Sequence, residues 1–491
     1  MWLGIDVGTG GSRALLVDAG GQVVAAFTVG HEEMRMEQAL WAEQRPEEWA
    51  RASVAAVRGV LAQAGVAGDA VLGVGFSGQM HGLVMLDRDD AVIRPALIWC
   101  DQRSQAQVNF IYAKVGRENV LRWIANPVLT GFTLPKLLWV REHEPENFER
   151  LKKMLLPKDY VRFCLTGAYE TDVADASGMA VFDVVNRRWS FEMMDALGLD
   201  SGILPGVQES AVVSSAISRR GAELTGLREG TPVVAGAGDQ AASAVGNGIV
   251  ETGVVSCTLG SSGVVFAHMD QVAYDPGGRV HTFCHGVPGK WHVMGVTQGA
   301  GLSLQWLRNQ LMPGASYDDM TREAATAPAG CEGLIWLPYL MGERTPHLDA
   351  RARGGWMGLT AKHTRAHLIR AVIEGVSFSQ RDGLEIVEGL GVRVGRVRAS
   401  GGGAKSLFWR QMLADVFGKM VATLESQEGS AQGAALLAMV GTGAFGSAAE
   451  ACGVAVREVE TLEPRAAEVR VYDQTYAKYR ALYPALRDTW G

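Results

Sequence analysis

The sequence predicts an α/β protein whose two halves flank a deep central cleft, and three observations predict it. Each half opens on a strand, a glycine-rich turn and a return strand, GIDVGTGGSRALLV from Gly4 and CTLGSSGVVF from Cys257. After each hairpin, strand-like and helical segments alternate, the pattern of sheets covered by helices. Between the halves, an apolar strand over 233–235 runs into glycines and presents Asp239 and Gln240 at a turn before a small-residue helix. Chemistry in α/β proteins collects at such strand ends. Asp239 is therefore expected at the floor of the cleft, with the chain divided into 1–248 and 249–491.

Taken in order, residues 2–30 read as an antiparallel meander: LGIDVG, then RALLVD, then QVVAAFTVG across Gly20 and Gly21. Residues 46–64 follow as an amphipathic helix, with Pro46 in its first turn and Trp49, Val54, Val57 and Val60 facing inward. A strand over 71–76 ends in SGQMHG, a return strand covers 83–87, and ALIWCDQR at 96–103 reads as a further strand with charges at its end. Residues 105–162 are mainly helical, and a turn-rich stretch with Asp172, Asp175 and Ser177 comes after them. In the second half, 254–269 repeat the strand, glycine turn and strand. A strand over 397–400 leads through Gly401, Gly402 and Gly403 into a helix over 405–418, and a strand over 421–425 and a helix over 430–440 close the pattern.

Composition excludes several classes. With 46 basic against 53 acidic residues the net charge is −7 and no basic stripe is visible, which argues against nucleic acid and anionic membrane as partners. The 61 glycines far exceed the usual share of about 7%, but 47% hydrophobic residues make them turns and close approaches, not disorder. Six scattered cysteines form no CxxC pair, so neither a zinc site nor a disulfide framework is indicated. MWLGIDVG lacks a signal peptide's basic start and long apolar run, and no later run approaches the ~18 apolar residues of a membrane span. The sequence reads as a soluble cytoplasmic protein.

The chemistry-bearing pieces follow from these elements. Short Gly/Ser/Thr hairpins hold phosphate because unhindered backbone N–H groups converge on an anion. Gly8, Thr9, Gly10, Gly11 and Ser12 offer one such nest, and Gly260, Ser261, Ser262 and Gly263 another. Either alone is more often an ordinary turn; two in matching positions favour phosphate. Neither is a Walker loop, and no convincing dinucleotide GxGxxG is present. Gly401–Ser406 lies between strand and helix, where glycine backbone and a helix N-terminus meet a nucleotide or simply pack closely. Asp6 and Asp239 each adjoin a glycine turn. One carboxylate near a triphosphate would hold Mg2+, usually through water, and a second could take the proton of an attacking hydroxyl. Gln79, Met80 and His81, with Trp99, Asp101 and Arg103 at the next segment, supply directional hydrogen bonds and a stacking face for a small polyhydroxylated substrate. His281, Cys284 and His285 invite a metal reading, but no fourth ligand is apparent.

With these pieces placed, the chain resembles the FGGY family of carbohydrate kinases along essentially its whole length. The matching stretches include GIDVGT, WAEQRPEEW, SGQMHG, LLPKDY, GAGDQAASAVGNG, TLGSSGV, HTFCH, PYLMGERTPH, GGGAKSLFWRQMLADVFG and GSAQGAALLA, in that order. Many motifs in sequence are far more specific than any one. The resemblance implies two ribonuclease-H-like domains of the actin-like ATPase fold, closing over a sugar and MgATP.

Carried over by position, Asp239 is the expected general base and, with Asp6, the expected partner of Mg2+. Gln79, Met80, His81, Asp101, Asp239 and Gln240 are expected at the sugar. Gly8, Thr9, Gly10, Gly260, Ser261 and Ser262 are expected at phosphate, and Gly402, Gly403 and Ser406 at the nucleotide. QMHG points to D-xylulose over glycerol or gluconate. Another ketose or polyol, such as ribulose, stays open because Cys100 and Gln102 depart from the family's commoner Asn and Gly. So does a nucleotide-gated interaction protein of the same fold. The first hairpin reads GTGGSR for GTSGVK and the second LGSSG for LGTSG, swaps that keep a hydroxyl or cation. For assembly the resemblance offers a homodimer.

Overall fold

The structure, a computed structural model, describes residues 1–426 and 428–490. Its chain forms two compact units. The first comprises Met1–Val250, Thr282–His292 and Glu428–Val456, and the second Glu251–His281, Val293–Gln427 and Arg457–Gly491.

In the first unit a seven-stranded sheet carries the expected meander. Trp2–Val7, Gly11–Val17 and Val23–Gly30 pair antiparallel in succession. Gly73–Gly78 joins Trp2–Val7 in parallel, followed by Pro232–Val234 and Val213–Ala216. Ala237–Gly238 pairs with the end of Gly73–Gly78 at Ser77 and Gly78. Two strand ends, one leading into Gln79 and one into Asp239, are thus neighbours in one sheet. The helix Pro46–Ala64 starts and stops at the expected residues, with Trp49, Val57 and Val60 fully buried and a left-handed Gly65 closing it.

The sequence places the division of the chain after residue 248, but a later segment, Glu428–Val456, packs with the first unit. Its helix Gly429–Gly441 lies on the meander because small residues let backbones touch. A β-carbon on Gly4 would fall 1.9 Å from the Ala431 carbonyl oxygen, and one on Gly75 the same distance from that of Ala434. The helix Asp239–Gly246 meets it as closely, since a β-carbon on Gly433 would sit 1.8 Å from the Ala242 oxygen. Gly433→Ala should therefore destabilise the protein by about 1–3 kcal/mol or more, because both partners are main chain and neither can fold away. A denaturant midpoint equal to the parent's would show that the helices separate at no cost.

One expected element is shorter. The strand over 96–103 covers only Ala96–Leu97. The chain turns there through the Asp101 amide, which donates to the Ile98 oxygen (3.1 Å), and the buried Asp101 carboxylate holds the turn by accepting from the Ala42 amide (2.7 Å) and from Arg103.

In the second unit, strands Gly263–Met269, Gly253–Leu259, Val394–Ser400, Met420–Leu424 and Glu458–Leu462 lie side by side in that order. The Thr258 and Ser400 hydroxyls, 2.9 Å apart, tie together the two strands that run into the 260–262 turn and the triple glycine. The helix expected over 405–418 is Leu407–Phe417, preceded by a single tight turn at Gly403–Lys405. Among the described residues no helix is long and apolar enough to cross a membrane, and no two cysteines form a disulfide.

Candidate active site

Asp239 is the first residue of the helix Asp239–Gly246 and follows directly on the strand Ala237–Gly238. The turn into it requires Gly236, which has φ +84° and would place a β-carbon 2.3 Å from the Phe76 oxygen. Asp239 is half-buried. Crowding by protein raises its carboxyl to about 7; the Asp6 carboxylate pushes in the same direction, and Gln240, which hydrogen-bonds it through backbone and side chain, only partly opposes them. Asp6 is raised as well, by burial, against the hydrogen bond from Ser77 (2.9 Å) and the charge of Arg13. Two carboxylates are thus held near one another with little to neutralise them.

The first hairpin is drawn inward by side chains. The Gly8 amide donates to the Gly11 oxygen at 3.0 Å. The Thr9 hydroxyl donates to Gln79 Oε1 (3.2 Å) and accepts from Trp99 Nε1 (2.9 Å), while Gln44 donates to the Thr9 carbonyl at 2.8 Å. Gln79 is 2% exposed, and its amide nitrogen donates to Gln44 Oε1 (3.1 Å). It is thus tied to the hairpin through Thr9 and to Gln44. Asp101, fully buried, has both oxygens on Arg103 and one also on Ala42. Arg103 in turn stacks over Trp41 at 3.7 Å.

Met80 and His81 stand differently. Met80 is 4% exposed and packs against Gly238, the residue before Asp239. His81 has a left-handed backbone, φ 69°. Its Nδ1 donates to the Gly178 oxygen at 2.8 Å, which makes Nε2 the acceptor nitrogen, and its ring stacks on Phe132 at 4.7 Å. Only glycine fits at 178, since a β-carbon there would lie 2.4 Å from the imidazole.

Beneath these residues lies a buried cluster that sequence reasoning did not assign. Lys158 Nζ stands 2.5 Å from Asp159, 2.7 Å from Asp172 and 3.4 Å from Asp175, all fully buried. A β-carbon on Gly238 would fall 3.2 Å from Asp175 Oδ1, and one on Gly78 would fall 3.0 Å from Lys158 Cβ. The signal was in LLPKDY and TDVADAS, but nothing local showed that the charges would meet.

The second unit has its own cavity of about 480 Å³, within the range of small-ligand sites. Gly260, Ser261, Gly402, Gly403 and Ser406 line it together; Ser262 is exposed at the hairpin tip. Ser406 also caps the helix Leu407–Phe417, accepting from the Trp409 amide at 3.4 Å. Gly301, Gln305, Tyr317 and Lys405 are among its other lining residues. Of these, Gly301 is bound to the hairpin directly, its amide donating to the Gly260 oxygen at 2.8 Å. His281, Cys284 and His285 do not converge on a metal: among the described residues no group of three or more His, Cys, Asp or Glu could hold one.

Comparison with known proteins accounts for both halves. Residues 1–246 match the N-terminal domain of the FGGY family of carbohydrate kinases, and residues 255–442 match its C-terminal domain. The chain belongs to that family. It is 38% identical over 486 residues to a xylulose kinase of Bacillus subtilis, covering 99% of this chain and 97% of that one. With a xylulose kinase of Escherichia coli it shares 39% over 443 residues, 90% of each. A crystal structure described as a xylulose kinase from Brucella ovis superposes with a TM-score of 0.93 at 36% identity, covering 99% of both chains. The fold is thus the actin-like ATPase fold of the FGGY kinases, and the enzyme is a carbohydrate kinase.

An FGGY kinase uses ATP, and the cavity of the second unit offers a clean test of where. Gly402 has ordinary right-handed helical angles and no protein atom nearer a β-carbon than the Leu259 oxygen at 4.0 Å. Gly402→Val should therefore fold normally while filling the cavity wall. ADP binding, followed by calorimetry, should weaken by about tenfold or more, at unchanged melting temperature. Unaltered ADP affinity would move the nucleotide elsewhere.

Proposed function

We propose that this enzyme transfers the γ-phosphoryl group of MgATP to the terminal hydroxyl of D-xylulose, giving D-xylulose 5-phosphate and ADP, with Asp239 as general base. The observation that carries the mechanism is Asp239 itself: a carboxyl at a strand end and helix start, raised to about 7 by burial and by Asp6. A base poised near the working pH combines a useful unprotonated fraction with a strong pull on the proton. The xylulose kinases that match along nearly the whole chain support the choice of sugar.

In this reading Met80 and His81 hold the ketose, His81 Nε2 accepting from a hydroxyl, with Gln240 beside the base. Asp239 takes the proton of the terminal hydroxyl as its oxygen attacks phosphorus in line, and the bond from phosphorus to the β,γ-bridging oxygen breaks. The Thr9 and Gly10 amides, and Ser261 and Ser262 with their turn, hold phosphate oxygens, while Gly402, Gly403 and Ser406 meet the nucleotide. Asp6 and Asp239 fit a magnesium ion held through water: they are two crowded carboxylates that a divalent cation would relieve, and Mg2+ commonly takes one or two carboxylates plus substrate phosphates. The ion supplies charge neutralisation on the triphosphate. Sugar binding is expected to draw the two units together, which suppresses transfer to water. Solution scattering unchanged by sugar and nucleotide would remove that part.

The deciding assay is ADP release from MgATP with D-xylulose, D-ribulose, L-ribulose, xylitol, glycerol and gluconate. A clear preference for D-xylulose is the expected result. Preference for another acceptor would overturn the sugar and keep the chemistry, and turnover indifferent to every sugar would overturn both.

A further inference from the structure

Lys136 brings a fully buried ammonium to the main chain of His81, read above as a sugar contact. It lies at the start of the helix Thr133–His143 and is 0% exposed. Its partners are main-chain carbonyls, Gly131 at 2.6 Å and His81 at 3.0 Å. Among the described residues no carboxylate lies within ion-pair distance of it. The Asp101 charge favours the ammonium from farther away, but the oxygens of Asp101 are engaged by Arg103 and Ala42. Burial prevails and lowers Lys136 to about 7. A buried cation without a paired anion is a poor device for stability alone.

What the ammonium holds is informative. His81 adopts a left-handed backbone that a non-glycine residue seldom takes, and its carbonyl accepts a second hydrogen bond from the Thr133 hydroxyl at 3.1 Å. Its ring stacks on Phe132, the residue after Gly131, whose carbonyl Lys136 also holds. Lys136 thus joins the main chain of His81 to the turn that carries the aromatic face beneath the imidazole. Gly131 is itself pressed close to the neighbouring segment, where a β-carbon would sit 2.8 Å from the Trp99 oxygen.

We propose that Lys136, assisted by Thr133, is a positioning residue for sugar recognition: by fixing the His81 and Gly131 carbonyls relative to one another it sets the direction in which the His81 imidazole faces the substrate. This rests on the reading of His81 as a sugar contact. Neither side chain touches the reacting atoms, so their loss should appear in the KM for the sugar and not in the KM for ATP.

The experiment is a double-mutant cycle of Lys136→Met and His81→Ala, with D-xylulose and ATP varied separately. Lys136→Met should raise the KM for D-xylulose by about tenfold, with kcat within about threefold and the KM for ATP unchanged. In the His81→Ala background the same change should have no further effect on sugar KM, because the group it positions is gone. Thr133→Val, which removes one donor and is sterically conservative, should give a smaller rise of the same kind and carries the test if Lys136→Met fails to fold. Effects that multiply independently in the double variant, or a fall in kcat at constant sugar KM, would overturn the positioning role. A native enzyme without sugar-dependent turnover would bring down the sugar reading and this inference with it; a native enzyme active on D-xylulose, with Lys136→Met and Thr133→Val unaltered in sugar KM, would bring down this inference alone.

Discussion

Asp239→Ala should lower sugar-dependent ADP release by about 10²–10⁴-fold, the usual worth of a positioned base, while ADP still binds the cavity of the second unit. The pH profile carries the finer test. Because the carboxyl titrates near 7 and only its ionised form accepts a proton, kcat/KM in the native enzyme should fall about tenfold per pH unit below 7. Asp6→Asn removes the second of the two influences that raise Asp239, so the limb should move to lower pH. The same shift has a stability consequence of opposite sign. A carboxyl whose folded pKa lies above its unfolded value of 3.8 binds its proton more tightly when folded, so the folded state loses stability as pH rises from about 4 through about 7. Asp239→Asn should accordingly raise the melting temperature at pH 8, with the gain vanishing toward pH 4. An Asp239→Ala enzyme as active as the parent, or a profile flat between pH 6 and 8, would assign the base to another group.

The largest effect on stability is expected at Lys158. Burial by itself would push this ammonium down, but Asp159, Asp172 and Asp175 overcome it and hold it above its ordinary range. Arg162, equally buried, stands 3.8 Å from Asp159. Asp172 and Asp175 are already raised by their own burial, and for Asp175 the charges of Asp172, Asp159 and Asp239 add to it. Lys158→Met fills the same space and leaves three carboxylates facing one cation. The expected cost is about 3–5 kcal/mol in urea unfolding at pH 7, the range for breaking one side of a buried ion pair. It should shrink at pH 5, where raised carboxyls take up protons. A loss below about 1 kcal/mol at pH 7 would mean that water or rearrangement already screens the cluster. Because Gly78 and Gly238 rest on it, a variant that folds should also show weakened turnover at unchanged ADP affinity.

Much of the molecule is legible where local chemistry decides. The meander over 2–30, the helix Pro46–Ala64 and the two hairpins follow from alternation, a proline in a first turn and glycines at tight turns. Asp239 is legible for the same reason, since the glycines before it admit one sharp turn and the small residues after it a close-packed helix. The helix Gly429–Gly441 is visible as a helix but not as part of the first unit. Its sequence is apolar all round, so no stripe shows which sheet it covers. Asp101 shows what the sequence hides: it follows an apolar run, and Arg103, two residues on, folds back to engage its carboxylate.

The sequence by itself determined the fold class, the family, the two glycine hairpins and the identity and setting of Asp239, because each depends on residues adjacent in the chain or on motifs in a fixed order. Tertiary structure alone decided which charges are buried and what they hold. Lys136 and Lys158 are indistinguishable from surface lysines in sequence, and they diverge only because one meets the carbonyls of residues 81 and 131 and the other the carboxylates of 159, 172 and 175. The free energy of a buried charge depends on groups distant along the chain, and those meet only once the backbone has folded.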